Sequence, residues 1–183
     1  NTLNLNYDGT VLVTGNRGYV LNQGQPKFFY KTKGLVYTLV SNVWQFTQGL
    51  EHPDYSESIF TTDEFAMTID VSGDGDWICV GAQMKSNLGA LYFYNRSDGV
   101  WDYTQKYQAT NLVDLGSSLA MSGDGLTLFA VQGIEDQTDT GTILVLSNDS
   151  GTWNFRAEIT VAGGIDYGVD TRIPISTNNL GSM

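Results

Sequence analysis

Residues 65–82 read FAMTIDVSGDGDWICVGA, and residues 89–107 read GALYFYNRSDGVWDYTQKY. Within the first stretch, Met67–Val71 alternates between apolar and polar positions, which predicts a half-buried β-strand. The turn Ser72–Gly75 follows this strand and ends in Asp-Gly. This pair suits a tight hairpin, because glycine tolerates positive φ and aspartate hydrogen-bonds its own backbone.

Three more strands are predicted in the same region, and they are Trp77–Gly81, Ala90–Tyr94 and Val100–Tyr107. No helical period of 11 residues or more interrupts them. Four short antiparallel strands that recur as a unit describe one blade of a β-propeller.

The same pattern occurs three times along the chain. Its Asp-Gly turns are Asp8-Gly9, Asp74-Gly75 and Asp124-Gly125. Its tryptophans are Trp44, Trp101 and Trp153. Because large aromatic side chains dominate burial, we expect all three tryptophans to pack between neighbouring blades.

We therefore expect an all-β fold, a single propeller-like array of four-stranded antiparallel blades over residues 1–183. The predicted units are repeat one at 1–50, repeat two at 65–110, repeat three at 115–162 and the start of repeat four at 166–183. Propellers have four to eight blades, so about three and a third repeats predict a fragment that continues in a longer chain. The alternative is an open ring completed by other subunits.

The stretch from Phe65 through Ser72–Gly75 to Val80-Gly81-Ala82, followed by Gly89–Phe93, resembles the FG-GAP repeat of integrin-alpha-type β-propellers. This sequence also resembles repeats in bacteriophage tail-fibre and other virion proteins. The resemblance covers most of the chain in three copies of falling quality, with repeat two the nearest. It implies a blade fold and an adhesive or structural role, and it implies no chemistry.

Composition narrows the range of partners. The net charge is −11, and only nine Lys and Arg are scattered among 183 residues. Nucleic acids and anionic membranes are bound through basic patches, so neither is an expected partner. No apolar run approaches 18 residues, so we expect no membrane insertion.

A calcium site is one hypothesis for the turn of repeat two. FG-GAP repeats often carry an Asp-x-Asp-x-Asp-Gly loop, and here Asp70, Asp74 and Asp76 are the best candidates. Calcium needs six to eight oxygen ligands, whereas repeats one and three offer one aspartate each at this turn. The alternative is that these aspartates only form turns. No other cofactor is expected.

Variable loops on a regular scaffold are where binding usually resides. The connection after repeat one and the acidic loop inside repeat three are therefore candidate binding loops. Their candidate residues are Glu51, Asp54, Tyr55, Glu57, Glu135, Asp136 and Asp139. Such loops could take a cation or a basic partner surface, and the alternative is a solvated loop. The second-to-third strand connection of repeat one is predicted as a longer loop at Asn16–Lys33.

Catalysis is not expected. His52 is the only histidine and is predicted on a polar loop, no nucleophile elbow is present, and one His with one Cys leaves no zinc site. We expect a non-enzymatic oligomeric virion protein, such as a tail fibre or adaptor, that assembles with protein partners or attaches to a host-surface protein or glycan. The alternatives are a cell-surface or secreted adhesion propeller and, more distantly, an extracellular hydrolase on a propeller scaffold.

Overall fold

The fold was obtained as a computed structural model, which describes residues 2–21, 28–54, 64–83, 88–108, 113–133 and 141–161. These residues form three four-stranded antiparallel sheets and contain no helix. The described part of the chain therefore has no helix that is long and apolar enough to cross a membrane. The predicted all-β fold with four-stranded, propeller-like blades is confirmed.

Each sheet is one blade, and its strands lie in chain order. Blade one contains β1 (Leu3–Leu5), β2 (Val11–Leu21), β3 (Phe28–Val40) and β4 (Val43–Leu50). Blade two contains β5 (Phe65–Val71), β6 (Trp77–Ala82), β7 (Ala90–Ser97) and β8 (Val100–Tyr107). Blade three contains β9 (Val113–Met121), β10 (Thr127–Gly133), β11 (Gly141–Asp149) and β12 (Thr152–Val161). The predicted start of repeat four, 166–183, lies outside the described residues.

Tight turns close the hairpin between the third and fourth strands of every blade. The central residues of these turns are Ser41-Asn42, Asp98-Gly99 and Ser150-Gly151, and all six have positive φ. Two successive residues with positive φ form a type I′ turn, whose twist matches that of the flanking strands. This turn fixes the strand register in all three blades.

The Asp-Gly turns join the first two strands of each blade. In blade two, Asp74 Oδ1 accepts hydrogen bonds from the Ser72 hydroxyl and from Asp76 N, the latter at 3.0 Å. The Ser72 hydroxyl oxygen also accepts Trp77 N at 2.9 Å. The serine and aspartate side chains thus accept the backbone N–H groups that have no partner within the turn.

Blade one departs from the sequence prediction between its second and third strands. The predicted loop at Asn16–Lys33 is wrong for most of its length, because Asn16–Leu21 pairs with Phe28–Lys33 in an extended hairpin. The corresponding strands of blade two pair only as far as Ala82 and Ala90. The extra residues continue the ladder because their backbone groups pair with each other in register.

The blades stack in chain order, so each has a front face toward the next blade and a rear face toward the preceding one. Val11 and Val13 on the front of blade one pack with Val80 and Trp101 on the rear of blade two. A second cluster joins the front of blade two to the rear of blade three and contains Cys79, Phe93, Leu128, Ala130 and Trp153. Two hydrophobic interfaces therefore hold the three sheets together.

The tryptophans do not all share the predicted environment. Trp101 and Trp153 are each 1% exposed, as expected for side chains between blades. The prediction is wrong for Trp44, which is 41% exposed. The physical reason is that the rear face of blade one meets no other blade among the described residues.

Close packing of the blades needs glycine on the second strand. A Cβ on Gly81 would lie 2.4 Å from the carbonyl oxygen of Gly116 in blade three, and one on Gly15 would lie 1.8 Å from that of Ala66 in blade two. Strand register places Val131 at the equivalent position of blade three, because Val131 pairs with Ser118 as Gly81 pairs with Thr68. Its side chain is buried on the front of that blade.

We expect Gly81→Ala to lower the free energy of unfolding by about 2 kcal/mol or more, because the new methyl group forces blades two and three apart. Chemical denaturation followed by circular dichroism measures this change. Gly49→Ala is the matched control, since a Cβ there would meet nothing nearer than Lys33 at 3.8 Å. Equal stability of the two variants would contradict the interpretation.

Candidate functional site

A cluster of titratable side chains lies where the chain leaves blade one for blade two. His52 is only 7% exposed, so the predicted solvated polar loop is wrong for this residue. Its Nδ1 accepts Asp54 N at 3.0 Å, and its Nε2 lies 3.1 Å from the Tyr92 hydroxyl. The single histidine is therefore held at both ring nitrogens.

These contacts fix the direction of a hydrogen-bond chain. Because Nδ1 accepts a backbone N–H, the neutral ring of His52 carries its proton on Nε2 and donates it to the Tyr92 oxygen. The Tyr92 hydroxyl then donates to Asp54 Oδ2 at 3.2 Å. Lys106 Nζ donates to the same carboxylate oxygen at 2.9 Å.

Aromatic rings enclose this chain. The His52 ring centroid lies 5.0 Å from that of Phe65 and 4.7 Å from that of Tyr92. Tyr103 lies on the solvent side, 44% exposed and 6.4 Å from the Tyr92 ring. Burial raises the pKa of Tyr103, and the carboxylate of Asp54 adds to this effect while Lys106 opposes it.

Glu51 forms the second connection at this junction. Its carboxylate pairs with Lys33 on the extended hairpin, and its backbone oxygen accepts the Tyr94 hydroxyl at 2.7 Å. Burial, with smaller contributions from Tyr103, Cys79 and Glu51, raises the pKa of Tyr94 above its ordinary value. The chain from Glu51 to Asp54 is therefore anchored on both blades.

Of the predicted binding-loop residues, the structure thus places Glu51 and Asp54 together in this cluster. The others, Tyr55, Glu57, Glu135, Asp136 and Asp139, lie outside the described residues. Tyr92 and Lys106 belong to the cluster and were not predicted as site residues. Strand alternation carries a weak signal for them, because it places them on known faces but does not show that the connection folds back over them.

The three calcium candidates do not share one ligand set. Asp70 Oδ2 accepts Met121 N of blade three at 2.7 Å, and Oδ1 accepts Val71 N at 2.9 Å. Asp74 instead serves the turn through its Oδ1. Within the described ranges, no three His, Cys, Asp or Glu side chains are grouped to hold a metal. The calcium site stays a prediction.

Asp70 has a structural role that the sequence did not indicate. Its carboxylate lies between blades two and three, where desolvation raises its pKa to about 6 although two backbone N–H groups favour the ionised form. Blade one has Asn4 at the equivalent position, and its Nδ2 donates to Ile69 O at 2.7 Å. The position thus joins the first strands of neighbouring blades.

Comparison with known proteins supports the fold and goes no further. No protein-family model matches the sequence, and no curated protein matches it. A solved structure from Bacteroides uniformis with a provisional 6-phosphogluconolactonase assignment is similar, with a TM-score of 0.53 and 12% identity, and the match covers 85% of this chain. TolB from Acinetobacter baumannii gives a TM-score of 0.40 and 13% identity over 88% of this chain.

The Bacteroides structure is of the β-propeller type, which agrees with the three blades. The chain spans 39% of the length of the Bacteroides protein and 43% of that of TolB. Identity this low shows a shared architecture, and one architecture hosts many unrelated functions.

We expect Tyr92→Phe to lower the free energy of unfolding by about 1–2 kcal/mol, because the buried His52 Nε2–H loses its acceptor and Asp54 loses a donor. Denaturant unfolding measures the loss. Tyr103→Phe is the matched control on the exposed side of the cluster. A Tyr92→Phe protein as stable as this control would argue against the directed hydrogen-bond chain.

Asp70 predicts a specific dependence of stability on pH. Its pKa is about 6 in the folded protein and 3.8 ordinarily, so the folded state keeps a proton that the unfolded state releases between these values. Stability conferred by the protonated group is full below pH about 4 and is lost as pH rises through about 6, by at most about 3 kcal/mol.

Asp70→Asn removes this titration, and its loss of one acceptor for Val71 N or Met121 N is an offset that does not change with pH. We therefore expect the stability of the variant relative to the native protein to improve from pH 4 to pH 7. Urea unfolding at several pH values measures the difference, to which all other carboxylates contribute equally. Parallel pH profiles for the two proteins would exclude the raised pKa.

Proposed function

We propose that this chain is a non-enzymatic structural and binding module that assembles with other proteins. The specific form of this proposal is a virion component such as a tail fibre or adaptor. Its role would be assembly or attachment to the host surface. The β-propeller-type architecture is compatible with this role. One exposed apolar face, on blade one, supports it.

The observation that carries the proposal is the apolar rear face of blade one. Leu3 is 62% exposed, Leu5 51%, Trp44 41% and Phe46 59%. The equivalent first-strand and tryptophan positions of blade two are Ile69, Val71 and Trp101, which are between 1% and 5% exposed. An apolar patch of this kind marks an interaction surface, and its positions are those that blade two buries against blade one.

The polar cluster supports a non-catalytic role. His52, Tyr92 and Asp54 direct their polar atoms at one another. A general base needs a lone pair aimed at substrate, whereas the His52 Nδ1 lone pair accepts a backbone N–H. The arrangement anchors the connection between two blades, so the hydrolase alternative is not favoured.

The virion context is supported by the resemblance of residues 72–82 to repeats of phage tail-fibre proteins. A secreted or cell-surface adhesion propeller would use the same fold and differs in where the protein is found. Localisation therefore separates these two proposals.

For a virion component, we expect mass spectrometry of density-purified source particles to recover this chain at a constant ratio to the capsid protein. The physical reason is that the open apolar face is buried in the particle and resists washing with moderate salt. The control is a soluble host protein, which should wash away. Recovery only from host-cell surfaces or medium would favour the adhesion alternative.

The Bacteroides neighbour supplies a check on catalysis. With a net charge of −11, the chain should repel an anionic phosphosugar, and we expect hydrolysis of 6-phosphogluconolactone at the spontaneous rate. Turnover above that rate, lost in a heat-denatured control, would contradict a non-enzymatic role.

A further inference from the structure

Glutamine side chains join consecutive blades at their fourth strands. Gln48 of blade one donates from Nε2 to Trp101 O at 2.7 Å and accepts Trp101 N on Oε1 at 2.8 Å. Gln105 of blade two makes the same pair of bonds to Trp153 O and N of blade three, at 2.7 and 2.8 Å. We refer to each double hydrogen bond as a glutamine clasp.

A β-bulge makes the clasp possible. In both blades the glutamine follows tryptophan by four residues, a spacing that would place the two on one face of a regular strand. The third and fourth strands shift register between Val36 and Tyr37 in blade one and between Phe93 and Tyr94 in blade two. The extra residue turns glutamine to the front face while tryptophan stays on the rear face.

The clasp also covers an open sheet edge. The fourth strand is the last strand of its blade, so alternate N–H and C=O groups lack a neighbouring strand. The glutamine amide offers one donor and one acceptor, as a peptide group of a fifth strand would. It thereby pairs the tryptophan backbone of the next blade.

First strands carry a matching set of forward contacts. Thr2 Oγ1 accepts Ile69 N at 3.0 Å, and the Thr68 hydroxyl donates to Gly116 O. Asn4 and Asp70 likewise reach the first strand of the following blade. Front faces thus supply side chains, and rear faces receive them on backbone groups.

The rear face of blade one has the features that receive such contacts. Trp44 pairs with Leu39 in the same register as Trp101 pairs with Arg96. The N–H and C=O of Trp44 therefore point away from the third strand, toward the open edge of the fourth strand. Among the described residues, no glutamine clasps them. The exposed Leu3 and Leu5 lie on the same rear face, on β1 at the opposite edge of the sheet.

A second copy of this chain does not offer the matching front face. Blade three has Ser118, Ala120, Val131 and Ala157 where blade two has Thr68, Asp70, Gly81 and Gln105. It therefore lacks the clasp and the glycine that allows close approach. Its apolar front residues Phe129, Val131, Ile143 and Val145 are also 8% exposed or less already.

We propose that the rear face of blade one docks a partner blade of this same repeat type. That blade carries glutamine four residues after its fourth-strand tryptophan, glycine on its second strand, and Thr with Asn or Asp on its first strand. The inference rests on the proposed assembly role and names the partner surface that this role requires. Apolar burial supplies the affinity, and the clasp to the Trp44 backbone sets the register.

The test adds such a blade to the full chain. A second copy of residues 65–116 is joined ahead of Asn1, which keeps the Thr68-to-Ser118 spacing between Thr68 of the added blade and Thr2. Amide hydrogen exchange resolved to single residues by NMR reports on the Trp44 amide. We expect about tenfold slower exchange of this amide than in the unextended chain.

The matched control is the same extended chain with Gln105→Ala in the added blade only. It should still shield the apolar face but lose most of the protection at the Trp44 amide. Equal protection with and without this glutamine would overturn the clasp. An extended chain that folds, by near-ultraviolet circular dichroism, and leaves Trp44 unprotected would overturn the docking surface.

A second variant decides the matter if the extended chain fails to fold. Gln48→Ala in the unextended chain should speed exchange of the Trp101 amide about tenfold, because its clasp is lost. Gln45→Ala, on an exposed residue of the same strand, should not change it. An unchanged Trp101 amide in Gln48→Ala would overturn the proposal.

Light scattering of the unextended chain tests whether a second copy of this chain, rather than a partner blade, covers the rear face of blade one. We expect a monomer at micromolar concentration, and a dimer that protects the Trp44 amide would overturn the partner blade in favour of a second copy. These outcomes are independent of the particle measurement. If the Trp44 amide is protected but purified particles do not contain this chain, only the virion role is contradicted.

Discussion

The alternation of side chains along the fourth strand, broken once by a bulge, is the constraint on which the stacking of the blades depends. A regular strand would place Trp101 and Gln105 on one face, and the bulge separates them. One strand can then insert an indole into the preceding blade and clasp the backbone of the next. The stack is therefore directional, since front faces give side chains and rear faces receive them.

Magnitudes separate the roles of these contacts. Burying one large apolar side chain stabilises by roughly 1.5–3 kcal/mol, whereas one hydrogen bond contributes about 1 kcal/mol net. Leu3, Leu5 and Trp44 together therefore outweigh a clasp. The apolar face supplies most of the adhesion, and the clasp selects among apolar partners, because an unmatched partner leaves the edge unpaired.

The sequence predicted the strands well wherever turn chemistry and alternation act locally. The predicted strand Val100–Tyr107 has the observed bounds, and Trp77–Gly81 differs by one residue. Local pattern could not reveal that Trp44 stays 41% exposed with no other described blade against it, because the packing of a rear face depends on residues distant in sequence. Nor could it distinguish a long loop from the pairing of residues 16–21 with residues 28–33, where hydrophobic alternation is weak.

The site was less predictable than the fold for a related reason. Glu51 and Asp54 were singled out as binding-loop candidates because charge in a connecting segment is visible in composition, and that binding role stays a prediction. Tyr92, by contrast, has the sequence pattern of an ordinary strand residue. Its role arises only when the connection folds back and places His52 against its hydroxyl. Such a contact has no local pattern, so residues of this kind are missed even when every strand is correct.

Blade two shows the repeat in its most complete form, and packing explains why. A blade with neighbours on both faces must keep its glycine, its bulge and its buried tryptophan, as blade two does. Blade one has one open face, the extended hairpin and the anchored connection at 51–54. Variation is tolerated where packing does not forbid it, as the changed front face of blade three also shows. The apolar surface that stays exposed lies on the rear of blade one, so a partner would be recognised there.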